Sequence, residues 1–266
     1  MRKTSSALLV CLIMILSSGC NISHKTHLGQ EPINGKIQFS ISESYEKYDV
    51  PSTPQIILSL KTEKIYGCMN YQIANTSTIK NGTVDVRISG VIIPEICLTA
   101  LGPATAETRL DLPNGNYKLI LHSGNFSNSY NLSIADRSIS IDQSTYSETQ
   151  PLYRLYWRYP PNSFVYMCGT LLQDSTISTD FLDTLKSKID LQEFVFPDSG
   201  KVPYPTASDG HYYDMPAKYF YYKSETDFDK IGNIMKDYKA KYLSNKTGYG
   251  ISIVSWMNKS FYSWLL

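Results

Sequence analysis

The hydrophobic periodicity of this chain changes near residues 142–150, and no other feature limits its fold as much. Before that point, short runs alternate apolar and polar residues with a period of two. After it, such runs alternate with stretches of helical spacing. A half-apolar strand must bury one face, and an amphipathic helix must lay its stripe on something. The chain therefore reads as two domains: an all-β domain over 36–142, a polar linker over 143–151, and an α+β domain over 152–266.

In the first half the expected strands are Lys36–Ser42, Gln55–Lys61, Asn70–Asn75, Thr83–Val91, Arg109–Leu112, Asn116–His122, Asn128–Ile134 and Arg137–Ile141. Val84, Val86 and Ile88 alternate with Asp85, Arg87 and Ser89, the period of a half-buried strand. The run around Leu119 and Leu121 alternates less cleanly and predicts a strand buried on both faces. Asn81-Gly82, Pro113-Asn114-Gly115 and Ser123-Gly124-Asn125 supply turns. Short strands at this spacing predict a β-sandwich. Leu112-Pro113-Asn114-Gly115-Asn116-Tyr117 resembles the tyrosine corner of immunoglobulin-like sandwiches. The resemblance implies that the Tyr117 hydroxyl bonds back to the loop backbone. Leu119 stands where antibody domains carry a disulfide cysteine, so the likeness is to the sandwich in the loose sense.

In the second half Ser163–Leu171, Leu191–Phe196, Ala217–Lys223 and Gly250–Met257 read as strands, with Asn258-Lys259 turning into a terminal hairpin. Phe181, Leu182, Leu185 and Ile189 recur at helical spacing over Thr179–Ile189, with Thr179 or Asp180 as cap. A second helix spans about Thr226–Leu243, with Phe228, Ile231, Met235, Tyr238 and Tyr242 on one stripe and Ser224 with Asp227 as a capping box. The order is that of the ferredoxin-like βαββαβ arrangement. Between the halves, Tyr153–Tyr159 would put Tyr153, Leu155, Trp157 and Tyr159 on one face and Arg154, Tyr156 and Arg158 on the other. Docking of the two domains, aromatic face inward, is the expectation, ahead of a ligand platform.

The first nineteen residues read as a secretion signal. Arg2 and Lys3 precede an apolar run, Ala7–Leu16, too short for a spanning helix of about 20 residues. Leu16-Ser17-Ser18-Gly19-Cys20 resembles the lipobox of bacterial lipoproteins, with Ser17 where that family usually has Leu. The resemblance implies removal of 1–19, a diacylglycerol on the Cys20 thiol, and acylation of the new amino terminus by palmitate-type chains. Several chains anchor almost irreversibly where one binds marginally. Asn21 is not Asp, which by the same resemblance implies the outer membrane, the plasma membrane being the alternative. Residues 20–35, with His24 and His27, then form a polar tether.

Removing residues 1–19 takes two of the 25 basic side chains and leaves 23 against 24 acidic ones. A net charge near −1 argues against a nucleic-acid partner, which needs a basic patch. With Cys11 leaving in the signal and Cys20 lipidated, Cys68, Cys97 and Cys168 remain. An oxidising compartment favours a disulfide, and Cys68 and Cys97 share a domain, so they are expected to pair. Cys168 sits in an apolar run, Phe164–Met167, and reads as a buried thiol.

No zinc-protease, nucleophile-elbow, phosphate-loop or dinucleotide motif occurs in the sequence, nor a Cys-x-x-Cys pair. Long loops in compact domains are often functional. The stretch Pro197–Pro216 offers Asp209, His211 and Asp214, weak candidates for a divalent ion against the default of a solvated loop. His122 ends a strand in a structural role. The reading is a lipid-anchored envelope protein, a binding or assembly module without cofactor, whose partner is an envelope protein or a glycan. The aromatic C-terminus, Phe261–Leu266, is one assembly surface. The alternative is a hydrolase or metal-binding protein using the 197–216 loop.

Overall fold

The computed structural model describes residues 29–47, 50–143, 148–206 and 213–266. Cys20, His24, His27, Asp209 and His211 fall outside them. Strands dominate, and the described residues form two sheets.

The first sheet contains β1 (Gln30–Glu31), β2 (Ile37–Ser44), β3 (Gln55–Tyr66), β4 (Gln72–Lys80), β5 (Thr83–Ile92), β6 (Gly102–Arg109), β7 (Gly115–Ser123), β8 (Phe126–Ile134), β9 (Ser138–Gln143), β10 (Thr149–Pro151) and β11 (Leu155–Trp157). The strand order is β10-β2-β3-β6-β4-β5-β7-β8-β9-β11, with β1 beside β5. It is mixed: β10 with β2, β4 with β6, and β5 with β7 run parallel. The β4–β6 link is one residue pair, Gln72 with Thr105. Phe39 of β2 meets Tyr130 of β8 edge-on at 4.8 Å. The buried Tyr130 hydroxyl donates to the Thr149 carbonyl of β10 at 2.7 Å. Alternate residues of facing strands, such as Phe39, Leu58, Val84, Val86, Leu119 and Leu132, fill one shared core.

Several expectations change in detail. The strand expected at Arg109–Leu112 lies at Gly102–Arg109 instead. That segment is poor in large apolar residues, and pairing with β3 rather than its own hydrophobicity defines it. Leu110 and Leu112 are buried in the following turn. Strand β7 buries Leu119 and Leu121 but leaves Ile120 half-buried, so only one face is fully covered. The first sheet also takes in β10, from the stretch read as a linker, and β11, from the start of the stretch read as the second domain.

The second sheet contains β12 (Ser163–Thr170), β13 (Gln192–Phe194), β14 (Tyr213–Asp214), β15 (Lys218–Tyr221), β16 (Tyr249–Ser255) and β17 (Ser260–Tyr262), in the order β13-β15-β12-β16-β17, with β14 also on β12. All its pairs are antiparallel. Helix α1 (Thr176–Lys188) links β12 to β13, and α2 (Glu225–Tyr238) links β15 to β16. Both lay their stripes on one face, where Phe181, Leu185, Phe228 and Ile231 meet Phe164, Tyr166 and Ile253.

Helix α1 starts earlier than its periodicity indicates. A 3-10 turn at Leu172–Asp174 feeds it, and Ser175, without a side-chain cap bond, takes the cap position rather than Thr179 or Asp180. Ser224 caps α2 by accepting from the Asp227 amide at 3.3 Å. The helix passes into a π-helical turn, Lys239–Leu243, which breaks the 3.6 period and leaves Tyr242 exposed instead of on the buried stripe.

Every residue of β12 is buried. Phe164, Tyr166 and Cys168 face the helices. Val165 and Met167 face the opposite way, onto Tyr204 of the long loop, with Tyr159, Phe196 and Val202 against them.

Candidate functional site

The two sheets meet through polar and aromatic groups. Glu43, near the end of β2, is buried, and each of its carboxylate oxygens has a partner. Arg158 Nε donates to one at 2.8 Å and the Tyr159 amide to the other at 2.7 Å. Arg158 Nη1 donates further to Asn114 Oδ1 and the Ala135 carbonyl, both at 2.8 Å. Around this pair the Tyr45 hydroxyl donates to the Trp256 carbonyl at 2.7 Å, and Asn258 Nδ2 donates to the carbonyls of Lys47 and Val50. The rings of Tyr45, Tyr159 and Tyr204 follow one another at 5.3 and 4.8 Å. Burial raises all three phenols: Tyr159 to about 12, Tyr45 and Tyr204 far above the ordinary value, with the neighbouring tyrosines adding to the shift of Tyr45.

The Tyr153–Tyr159 segment makes this junction, but it divides differently from the alternation expected. Tyr156 points into the core of the first sheet, and burial lifts its phenol to about 12. Leu155 and Trp157 grip the long loop: the Trp157 indole donates to Ser199 O at 2.7 Å, and the backbones of Leu155 and Trp157 exchange bonds with Lys201. Tyr159 packs against the second sheet. Residues 199–204 are therefore tied down, and Tyr204 is fully buried, with its hydroxyl donating to Ser163 O at 2.9 Å.

Beside the junction lies a cleft of about 500 Å³. Trp157, Phe194, Phe196 and Tyr221 line it, with Val195 prominent on its wall and Arg137 and Asp136 on its rim. Phe194 stacks on Tyr221 at 4.3 Å and meets Phe196 edge-on at 5.4 Å. These rings are only partly covered. Among the described residues no carboxylate pairs with Arg137. An aromatic wall beside a guanidinium suits a chain-like ligand that offers flat apolar faces and hydrogen-bond acceptors. Strand alternation put Phe194 and Phe196 on one face of the expected strand Leu191–Phe196, but it did not link them to Trp157 or Tyr221; β13 ends at Phe194, Phe196 lies in the loop after it, and Tyr221 is on β15. Only the pairing of β13 with β15 brings them together.

Other residues singled out from the sequence lie elsewhere. Cys68 and Cys97 form a disulfide with Cα atoms 5.2 Å apart. Cys168 is a free buried thiol whose pKa is raised by burial, an inert position. His122 bonds Asp85 at 2.9 Å. The Tyr117 hydroxyl donates to the Pro113 carbonyl at 2.8 Å, the return bond to the loop implied by its motif. Asp214 lies on β14, opposite Gly169. Among the described residues no group of three or more His, Cys, Asp or Glu side chains could hold a metal ion, and Asp209 and His211 lie outside them. No helix among the described residues is long and apolar enough to cross a membrane. The C-terminal segment divides: Phe261 packs on Gly232 and Phe228, whereas Trp264 and Leu265 are exposed.

Comparison with known proteins returns no match to any family model, curated protein or solved structure.

Proposed function

We propose that this chain is a lipid-anchored protein of the bacterial envelope, held in the outer membrane by acyl chains on Cys20, and that it binds an envelope protein or glycan in the cleft beside Trp157. In this reading residues 36–142, with β10 and β11 added, form an immunoglobulin-like sandwich, supported by the curled sheet and the Tyr117–Pro113 bond. The second unit is ferredoxin-like. Its strand order β13-β15-β12-β16, with α1 and α2 as crossovers onto one face, supports the split βαβ topology. Neither fold specifies a ligand, so the binding reading rests on the site.

The observation that carries it is the set of partly open rings Trp157, Phe194, Phe196 and Tyr221 beside Arg137. The test is a photo-crosslinking residue at Val195 in the full chain, irradiated in intact cells, together with co-sedimentation on isolated cell-wall glycan. A covalent protein adduct, or retention on the glycan, that falls with Arg137→Glu supports the reading and tells the two ligands apart. Absence of both, or indifference to Arg137→Glu, refutes it. Mass spectrometry of the amino-terminal peptide tests the anchor: an unmodified Cys20 rejects it.

A further inference from the structure

The loop between β5 and β6 is apolar and exposed. Ile96 is 76% exposed, Leu98 51% and Leu101 78%, and Met69 beside them 53%. Single exposed apolar residues are ordinary, but a contiguous group marks an interaction surface. Contiguity here follows from the backbone. The Met69 amide donates to Leu98 O at 3.3 Å, and the Met69 backbone lies against Gly102, the neighbour of Leu101. Residues 96–101, ICLTAL, carry no charge.

The loop is held firmly. Cys97 is bonded to Cys68. The Asn70 side chain brackets the loop: its Nδ2 donates to Ile96 O at 2.6 Å and its Oδ1 accepts from the Leu98 amide at 3.1 Å. The Ala100 amide donates to Leu98 O at 2.8 Å. The Ile96 and Leu98 carbonyls and the Leu98 and Ala100 amides are thus bonded within the protein, which lowers the cost of entry into a lipid layer.

Residues 29–31 run beside the base of this loop. Gln30 pairs with Ile92, Glu31 pairs with Val91, and the Ile93 amide donates to Gly29 O at 3.0 Å. Nine residue steps separate Gly29 from Cys20, a reach of at most about 32 Å. The loop also lies at the end of the sandwich away from the second sheet. Strand β3 runs from Gln55, beside the junction end of β2, to Tyr66, which pairs with Gly102 at the loop end.

We infer, resting on the lipid anchor proposed above, that the disulfide-pinned loop carrying Met69, Ile96, Leu98 and Leu101 dips into the same bilayer that holds the Cys20 acyl chains. The loop and the anchor then make a two-point contact that fixes the tilt of the molecule. The junction cleft stands about 35 Å further out, the length of a strand such as β3 at about 3.3 Å per residue.

The test uses the full chain, processed in bacteria and reconstituted into phosphatidylethanolamine–phosphatidylglycerol vesicles with plain or brominated acyl chains. One variant carries Leu101→Trp, a second Leu98→Trp. A control carries Asp111→Trp, an exposed site at the junction end. The unsubstituted protein sets the emission of Trp157, Trp256 and Trp264. Brominated lipid should remove most of the emission added by Leu101→Trp and Leu98→Trp, and little of that added by Asp111→Trp. If Cys20 is lipidated and the protein is vesicle-bound, yet neither loop indole is quenched more than the control, the loop does not enter the bilayer and the inference falls alone. An unmodified Cys20 overturns the anchor and the inference together.

Discussion

Replacing Glu43 with alanine strips a buried carboxylate from the point where the two sheets meet. The side chains of Glu43 and Arg158 are 5% and 21% exposed, and their ion pair closes at 2.8 Å. Removal leaves the Arg158 guanidinium with its two remaining acceptors, Asn114 Oδ1 and Ala135 O, but without a counter-charge, and leaves the Tyr159 amide unsatisfied. Breaking one side of a buried pair costs about 3–5 kcal/mol. Because Arg158 keeps some contact with water, the lower end, about 3 kcal/mol, is expected for Glu43→Ala. Glu43→Gln keeps the shape, but two donors then face an amide with one accepting oxygen. The loss of a charge-assisted bond should cost about 1.5–3 kcal/mol. Glu43→Met with Arg158→Met together should cost less than the sum of the singles, since no charge is left stranded. Urea unfolding with a double-mutant cycle measures these terms. Asp111→Ala, which breaks the exposed pair with Arg109, is the control at about 0–1 kcal/mol. If Glu43→Ala costs no more than Asp111→Ala, the junction is not held by this pair and the reasoning fails. If unfolding of Glu43→Ala splits into two transitions of smaller slope, the pair couples two otherwise separable units.

Three further outcomes are expected. Non-reducing peptide mapping should return the Cys68–Cys97 bond and a Cys168 thiol that reacts only after unfolding, and Cys68→Ser with Cys97→Ser should lower stability by about 3–4 kcal/mol on the chain-entropy model; a thiol-reactive Cys168 in the native protein would contradict its burial. Stability should hold up to pH 10 and fall above it: Tyr156 and Tyr159 titrate near 12 when folded against 10 when unfolded, so the unfolded chain releases protons first and gains from alkali through that window; urea midpoints that do not change between pH 9 and pH 11.5 would refute this. A fragment covering 29–157 should melt cooperatively and at a higher temperature than Lys36–Asp142, because the shorter piece lacks β10, β11 and the buried Tyr156; equal melting temperatures would show that these strands contribute nothing.

Local patterns determined a good deal. The alternation of Val84, Val86 and Ile88, the turns at Asn81-Gly82 and Pro113–Gly115, and the helical spacing of Phe181, Leu182 and Leu185 each depend on neighbours within a few residues. Such patterns can be read without knowing the fold. Ser224 as a cap and the Tyr117 return bond belong to the same class. What tertiary structure decided lies wherever one segment borrows its reason from another. Strand β6 has few apolar residues of its own and exists because β3 and β4 offer it partners. Tyr156 turned inward, against its expected face, because pairing with β9 sets it in the core of the first sheet. Helix α1 begins early because a 3-10 turn precedes it. The cleft of Trp157, Phe194, Phe196 and Tyr221 and the pair Glu43–Arg158, 115 residues apart, could not be read from spacing. Burial of a charge or convergence of rings from different strands is a property of the packed sheets, and no periodicity along the chain encodes it.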